Sequence, residues 1–443
     1  MKATRTIVLA LVAIGVLTAA VFGIRAVTNK PASKAAKAVE NLSARGALAE
    51  SSSPADARVR AAQGMIERAG EKPDGYNLLG DAFMQKARET GDFSFNARAD
   101  AALQKSLELV PDSYSTLVLR AKLLLTFHRF REALEVARLA QAMRPQEYHA
   151  YGALTDAYVE LGDYDAAIEA AQKRMDLRPD MDAYARVAYL RSLHGDTEGA
   201  IEAMGVAAKA ADPRDLESVA WCRVHLGDEL MNAGKLALAE KEYDNALAVF
   251  PNYYLALAAK ARARAAASDM NGAIDFYKRA QDRVPLPDTA IALGDLYAKF
   301  GRADEAKKQY DLVEFIERGG VAGGETYSRQ LALFYADHDI KLDEALEIAR
   351  RERAARADIY TSDALAWCLY KKGQFAEAKT AMDEALRLGT NDPRLLYHAG
   401  MIANALGDRR NATKYLEGAV KINPSFDVLQ ADVARETLAK IKV

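Results

Sequence analysis

The sequence predicts an all-α fold: an α-α superhelical solenoid of about ten helix pairs, closed by a C-terminal capping helix and preceded by an N-terminal transmembrane or signal helix. Three observations predict it. Gly234, Ala239, Tyr243, Ala246 and Pro251 follow one another at steps of five, four, three and five, and the same steps recur at Gly162, Ala167, Ala171, Arg174 and Pro179 and at Gly407, Ala412, Leu416, Ala419 and Pro424. Pro111, Pro145 and Pro179 are spaced by 34 residues, as are Pro251 and Pro285. Half of the 443 residues are hydrophobic, and the composition leans to Ala, Leu, Glu, Lys and Arg, which favour helices. A rule repeated at a fixed period marks units that bury their apolar faces only by stacking on one another.

Residues 1–30 are of another kind. Lys2 and Arg5 precede an uncharged stretch from Thr6 to Ile24. At about 1.5 Å per residue it spans roughly 28 Å, close to the thickness of a bilayer's hydrocarbon layer. Ala20 could end a signal-peptidase site, but the apolar stretch is long for a cleaved signal, and Arg25, Lys30, Lys34 and Lys37 follow closely. The expectation is a single-pass membrane protein anchored through residues 6–24, its bulk extracytoplasmic (periplasmic); the alternative is a secreted chain after cleavage. The flanking charges are nearly balanced, so they orient the segment weakly. No cysteine lies near the segment, which excludes a lipoprotein anchor.

Residues 31–72 form a linker and a lead-in helix, PADARVRAAQGMIERAG, which Ser53 and Pro54 can start. Repeats 1–7 and a Gly-rich break occupy 73–325, and repeats 8–10 with the capping helix occupy 326–443. Within each unit, Gly80, Gly227, Gly294 and Gly400 let the two helices approach. Ala99, Ala133, Ala167, Ala239, Ala273, Ala306, Ala378 and Ala412 do the same on the second helix. Phe83, Tyr158, Tyr297, Tyr243, Tyr277 and Tyr310 fill what remains, and the proline ends the second helix.

These residues resemble the tetratricopeptide repeat (TPR) family over about residues 73–426, as a bacterial membrane-anchored or exported TPR protein. The resemblance implies antiparallel helix pairs in a right-handed superhelix, with the first helices lining a concave groove. The pattern is broken by KARETGDFSFNA inside the first unit, by KAADPRD after the fourth, by ERGGVAGGETY after the seventh, and by a poorly matching eighth unit. DVLQADVARETLAKI reads as the capping helix that an open end needs.

Little in the chain suggests chemistry. The net charge of −2 offers no basic surface for nucleic acid, and no GxSxG, HExxH or GxxxxGK[ST] motif occurs. Cys222 and Cys368 make no CxxC pair. Cys222 with His225 reads as a packed thiol and a surface imidazole, and ADHD (336–339) as a fraying helix end. No catalytic residue, metal ligand or cofactor is expected; a divergent enzyme using Asp156 and Asp228 is the remote alternative.

The expected partner is a protein or peptide in the groove. The family's inward-facing position nine is held here by Asp81, Lys122, Asp156, Tyr189, Asp228, Arg262, Asp295, Phe334, Trp367 and Met401. The alternating charges read as ion pairs between neighbouring repeats. Tyr189, Asp228, Phe334, Trp367, Tyr370, Tyr397, His398 and Met401 are the candidate partner-binding residues. The aromatic ones serve either as anchors for a partner's apolar side chains or as packing between tightly wound repeats. Such a chain is a non-catalytic interaction scaffold at a membrane, in cell-envelope assembly by analogy; a soluble exported binder of a ligand or polysaccharide is the alternative.

Overall fold

In the computed structural model, residues 53–322 and 329–442 are described; the apolar stretch 6–24 and the later part of the Gly-rich break lie outside them. Among the described residues, regular structure is entirely helical. A lead-in helix, Pro54–Ala69, is followed by ten helix pairs and a last helix, Gln430–Lys442. The pairs span residues 73–109, 114–143, 149–177, 181–210, 216–249, 254–283, 287–322, 329–355, 359–385 and 393–422, here repeats 1 to 10.

The recurrent Gly-Asp dipeptide makes the hairpin inside a repeat. Gly162, Gly195 and Gly407 take φ of 75°, 76° and 77°, a left-handed conformation that glycine adopts without Cβ strain. The next residue then caps the second helix: Asp163, Asp196 and Asp408 accept hydrogen bonds from the backbone N–H of Ala166, Gly199 and Asn411. At the start of the array, Ser53 caps its helix in the same way, accepting from Asp56 N at 3.2 Å with Pro54 in the first position.

The small residues set the distance between paired helices. A Cβ on Gly227 would stand 2.3 Å from the Tyr243 ring, and one on Gly294 would stand 2.4 Å from the Tyr310 ring. The extra residues of repeat 1 do not form a loop; they lengthen its first helix, Pro73–Thr90, to 18 residues. Similarly, the second helix of repeat 7, Ala303–Ala322, runs through Gly319 for 20 residues.

The array winds so tightly that successive turns touch. Tyr164 Oη accepts from Ile359 N at 2.9 Å, Asn391 Nδ2 donates to Gly195 O at 2.7 Å, and Asn423 Nδ2 donates to Met231 O at 3.0 Å. These partners are 192 to 196 residues apart, which is about six repeats of the 34-residue period. The hairpins of repeats 3, 4 and 5 thus lie against the junctions that follow repeats 8, 9 and 10. Buried charges join this seam, where Arg356 meets Glu160 and Glu352, each at 3.1 Å.

Candidate interaction cavity

Winding the first helices inward brings Asp228, Arg262, Asp295 and Phe334, from four successive repeats, to the wall of one cavity of about 580 Å³. Each charged group is held from below. Tyr243 Oη donates to Asp228 at 2.9 Å, and Arg262 pairs with the same carboxylate across the repeat boundary. Tyr310 Oη donates to Asp295 at 2.9 Å, and His338 Nε2 lies 2.7 Å from that carboxylate. Burial works against a protonated His338, yet the Asp295 carboxylate raises its pKa above the ordinary histidine value.

The opposite wall comes from the C-terminus. Residues 424–431 line the cavity together with the inner helices of repeats 5 to 8. Arg394 donates to Asp427 at 2.6 Å, Lys299 to Val428 O at 2.6 Å and to Asp432 at 3.0 Å, and Gln430 to Asp337 at 2.7 Å. Asp337 also accepts the Trp367 indole N–H at 2.7 Å, and burial pushes its carboxyl pKa upward.

Models of the tetratricopeptide repeat family match residues 225–286 and 393–426, inside the array just described. The chain carries tetratricopeptide repeats. A further family model, ChAPs (Chs5p-Arf1p-binding proteins), matches residues 59–192. Solved structures similar to this TPR protein include yeast Tom70, with 15% identity, 92% of this chain and 97% of that chain covered, and a TM-score of 0.38. The human IFIT1 dimer with m7Gppp-AAAA shows 14% identity over 75% and 76%, with a TM-score of 0.49. A tetratricopeptide repeat protein from Parabacteroides merdae shows 18% identity over 59% and 99%, with a TM-score of 0.34. At these scores the likenesses carry no argument about function. No curated protein sequence matches. TPR arrays are protein-interaction scaffolds and typically non-catalytic.

Within this TPR protein the aromatic candidates need correction. Phe334, Trp367, Tyr397 and His398 are core residues, each 1–2% exposed, so none offers a free surface for a partner. Trp367 is sandwiched between Tyr370, at 4.8 Å, and His398, at 4.1 Å, and His398 Nδ1 lies 2.8 Å from Asp363. The physical reason is the tight winding: side chains that a wider superhelix would present to its groove are filled over by the adjacent repeat. Tyr370 and Met401 are half-buried against the same core. Tyr189 remains 42% exposed.

The charge pattern survives in part. Arg262 pairs with Asp228 as the alternation predicts, but Asp295 turns to His338, Asp156 is held bidentately by Arg186 at 2.7 and 2.8 Å, and Asp81 pairs with Arg58 of the lead-in helix. Asp156 and Asp228, the acids of the enzyme alternative, are therefore both committed to ion pairs. The ADHD side chains diverge: Asp337 goes to Trp367 and Gln430, His338 to Asp295, and Asp339 to Lys371. Cys222 is buried, while His225 packs at a tilt of 54° against Trp221, ring centroids 4.1 Å apart. Sequence reasoning missed Lys299, Arg394 and the Asp427–Asp432 segment, and no local signal could have found them. Their partners lie 33, 129 and 133 residues away.

Proposed function

We propose that this chain is a non-catalytic scaffold that holds an extended segment of a partner protein along the inner face of its coil, and that residues 6–24 tether it to a membrane with the repeats extracytoplasmic, serving assembly of the cell envelope. One observation carries the binding reading: position nine of three successive repeats, 5 to 7, lines a single cavity, with Asp228, Arg262 and Asp295 supplying fixed charges. A wall preorganised by ion pairs and tyrosine hydroxyls orders little on binding, so more of the contact energy remains as affinity. Tethering would raise the effective concentration of membrane neighbours. Among the described residues no helix is long and apolar enough to cross a membrane, so the tether rests on the sequence of 6–24 alone.

The test places a photo-crosslinking amino acid at Tyr189, at position nine of repeat 4, or at Leu139, 59% exposed, in the full chain in its own cells. A discrete partner crosslinked from position 189 and not from 139 supports the reading. Equal crosslinking from both positions, or none from 189, overturns it. Fractionation with N-terminal sequencing of the mature protein decides the tether.

A further inference from the structure

A cap needs only to cover the exposed face of the last repeat. The segment after Asn423 does more, because it turns back across the inside of the coil. Phe426 packs on Tyr397 at 5.6 Å in repeat 10. Asp427 sits on Arg394, then turns its other oxygen to the N–H groups of Leu429 and Gln430 at 2.8 and 2.9 Å, starting the final helix. Val428 packs against the cluster containing Leu293 and Tyr297 of repeat 7. Gln430 reaches Asp337 of repeat 8, and Asp432 reaches Lys299 at the end of the first helix of repeat 7. The stretch 427–429 is not helical, and its contacts come from side chains and backbone of half-buried residues read one by one, as a bound peptide would be.

We propose that Phe426–Asp432 is a built-in ligand: it occupies a peptide-binding site formed by repeats 7, 8 and 10, and a partner segment of the same chemistry binds by displacing it. That partner chemistry follows from the wall. A carboxylate meets Arg394, an apolar residue one position later enters the Leu293–Tyr297 cluster, an amide three positions after the carboxylate reaches Asp337, and a second carboxylate five positions after it meets Lys299. The site thus selects an acidic peptide that turns into a helix and carries one apolar anchor. The proposal rests on the binding reading above, and it specifies where on the inner face the partner lies and what must leave first.

The probe is a labelled peptide of residues 425–436, SFDVLQADVARE, titrated against the full chain and followed by fluorescence anisotropy. In one variant, V428D/Q430A/D432K, the segment loses its anchor and the Gln430 and Asp432 contacts; in a milder one, Q430A/D432A, only those two polar contacts go. The first should bind the peptide at least about tenfold more tightly than the unaltered chain, and the milder one several-fold more tightly. Adding Lys299→Ala and Arg394→Ala should abolish the gain, and hydrogen exchange should show amides 427–432 opening in the released chain. If V428D/Q430A/D432K does not fold, the milder variant is read in the same way. Binding no tighter than that of the unaltered chain, with those amides exchanging freely, would show a mere cap and overturn the proposal. The titration needs no natural partner, so a failure to crosslink one from Tyr189 would sink the scaffold reading and leave this result to be judged on its own.

Discussion

Gly162 lies directly against the backbone of Ala357, one turn of the coil further on: a Cβ at Gly162 would come within 2.4 Å of the Ala357 carbonyl oxygen. Gly195 and Gly234 meet Gly389 O at 2.4 Å and Ile422 O at 2.5 Å in the same way, whereas Gly373 and Gly407, in the equivalent left-handed turns, meet nothing within 4 Å. Alanine at any of these positions costs about 1–2 kcal/mol of left-handed strain. At Gly162, Gly195 and Gly234 it should cost a further 1–3 kcal/mol or so for forcing the turns apart. Urea melts of the five variants check this; equal losses across all five would mean that the turns do not touch in solution.

Arg356 holds the same seam by charge. Its side chain, 8% exposed, meets Glu160 and Glu352 at 3.1 Å and Asp358 at 3.6 Å. Arg356→Met would leave three carboxylates gathered, with Arg329 still at 3.1 Å from Asp358. Removing one partner of a buried ion pair costs about 3–5 kcal/mol. Hydrogen exchange at the Ala357 and Ile359 amides, which donate to Glu160 O and Tyr164 Oη, should rise before that of the helices.

Glu229 gives the fold a pH-dependent penalty. Burial, with the Asp228 and Asp392 carboxylates nearby, pushes its pKa up to about 7 despite a hydrogen bond from Ser192. A carboxyl whose folded pKa is raised binds its proton more tightly folded than unfolded. Stability therefore falls as pH rises from about 4.5 to 7, and the loss is complete above that range. Glu229→Gln keeps an acceptor for Ser192 and removes the charge. It should leave the melting temperature nearly unchanged at pH 4 and raise it at pH 8, on the order of 1–3 kcal/mol in stability. A gain of the same size at both pH values would contradict the assignment.

Trp367 tests whether the C-terminal aromatics pack or bind. It is 1% exposed and its indole N–H donates to Asp337. Trp367→Ala should cost about 3–5 kcal/mol, as large core truncations do. It should also loosen Gln430, which shares the Asp337 carboxylate, so the final helix exchanges faster. Trp367→Phe should keep most of the stacking and lose chiefly the hydrogen bond, about 1 kcal/mol. A Trp367→Ala protein that melts normally would return this residue to the list of partner contacts.

The repeat rule was legible because its parts act within one unit. Gly227 meets Tyr243 across a single hairpin, and Gly407 with Asp408 makes the turn of another, so their spacing in the chain states their spacing in the fold. The Asp228–Arg262 pair was legible for a similar reason: one period separates the two residues, and neighbouring repeats are superposable. The aromatics misled because position nine faces inward in any superhelix, while the sequence carries no measure of how wide that superhelix is.

By itself, then, the chain's order of residues determined the helix pairs, their number, their hairpins and the side that turns inward, since propensity, capping and close packing act over a few residues. Only the tertiary structure decided the pitch. Small rotations between repeats, summed over about six of them, bring Gly162 under Ala357 and Asn423 beside Met231, and over about four they lay Asp432 on Lys299. Those contacts depend on an accumulated angle, which no short stretch of sequence encodes.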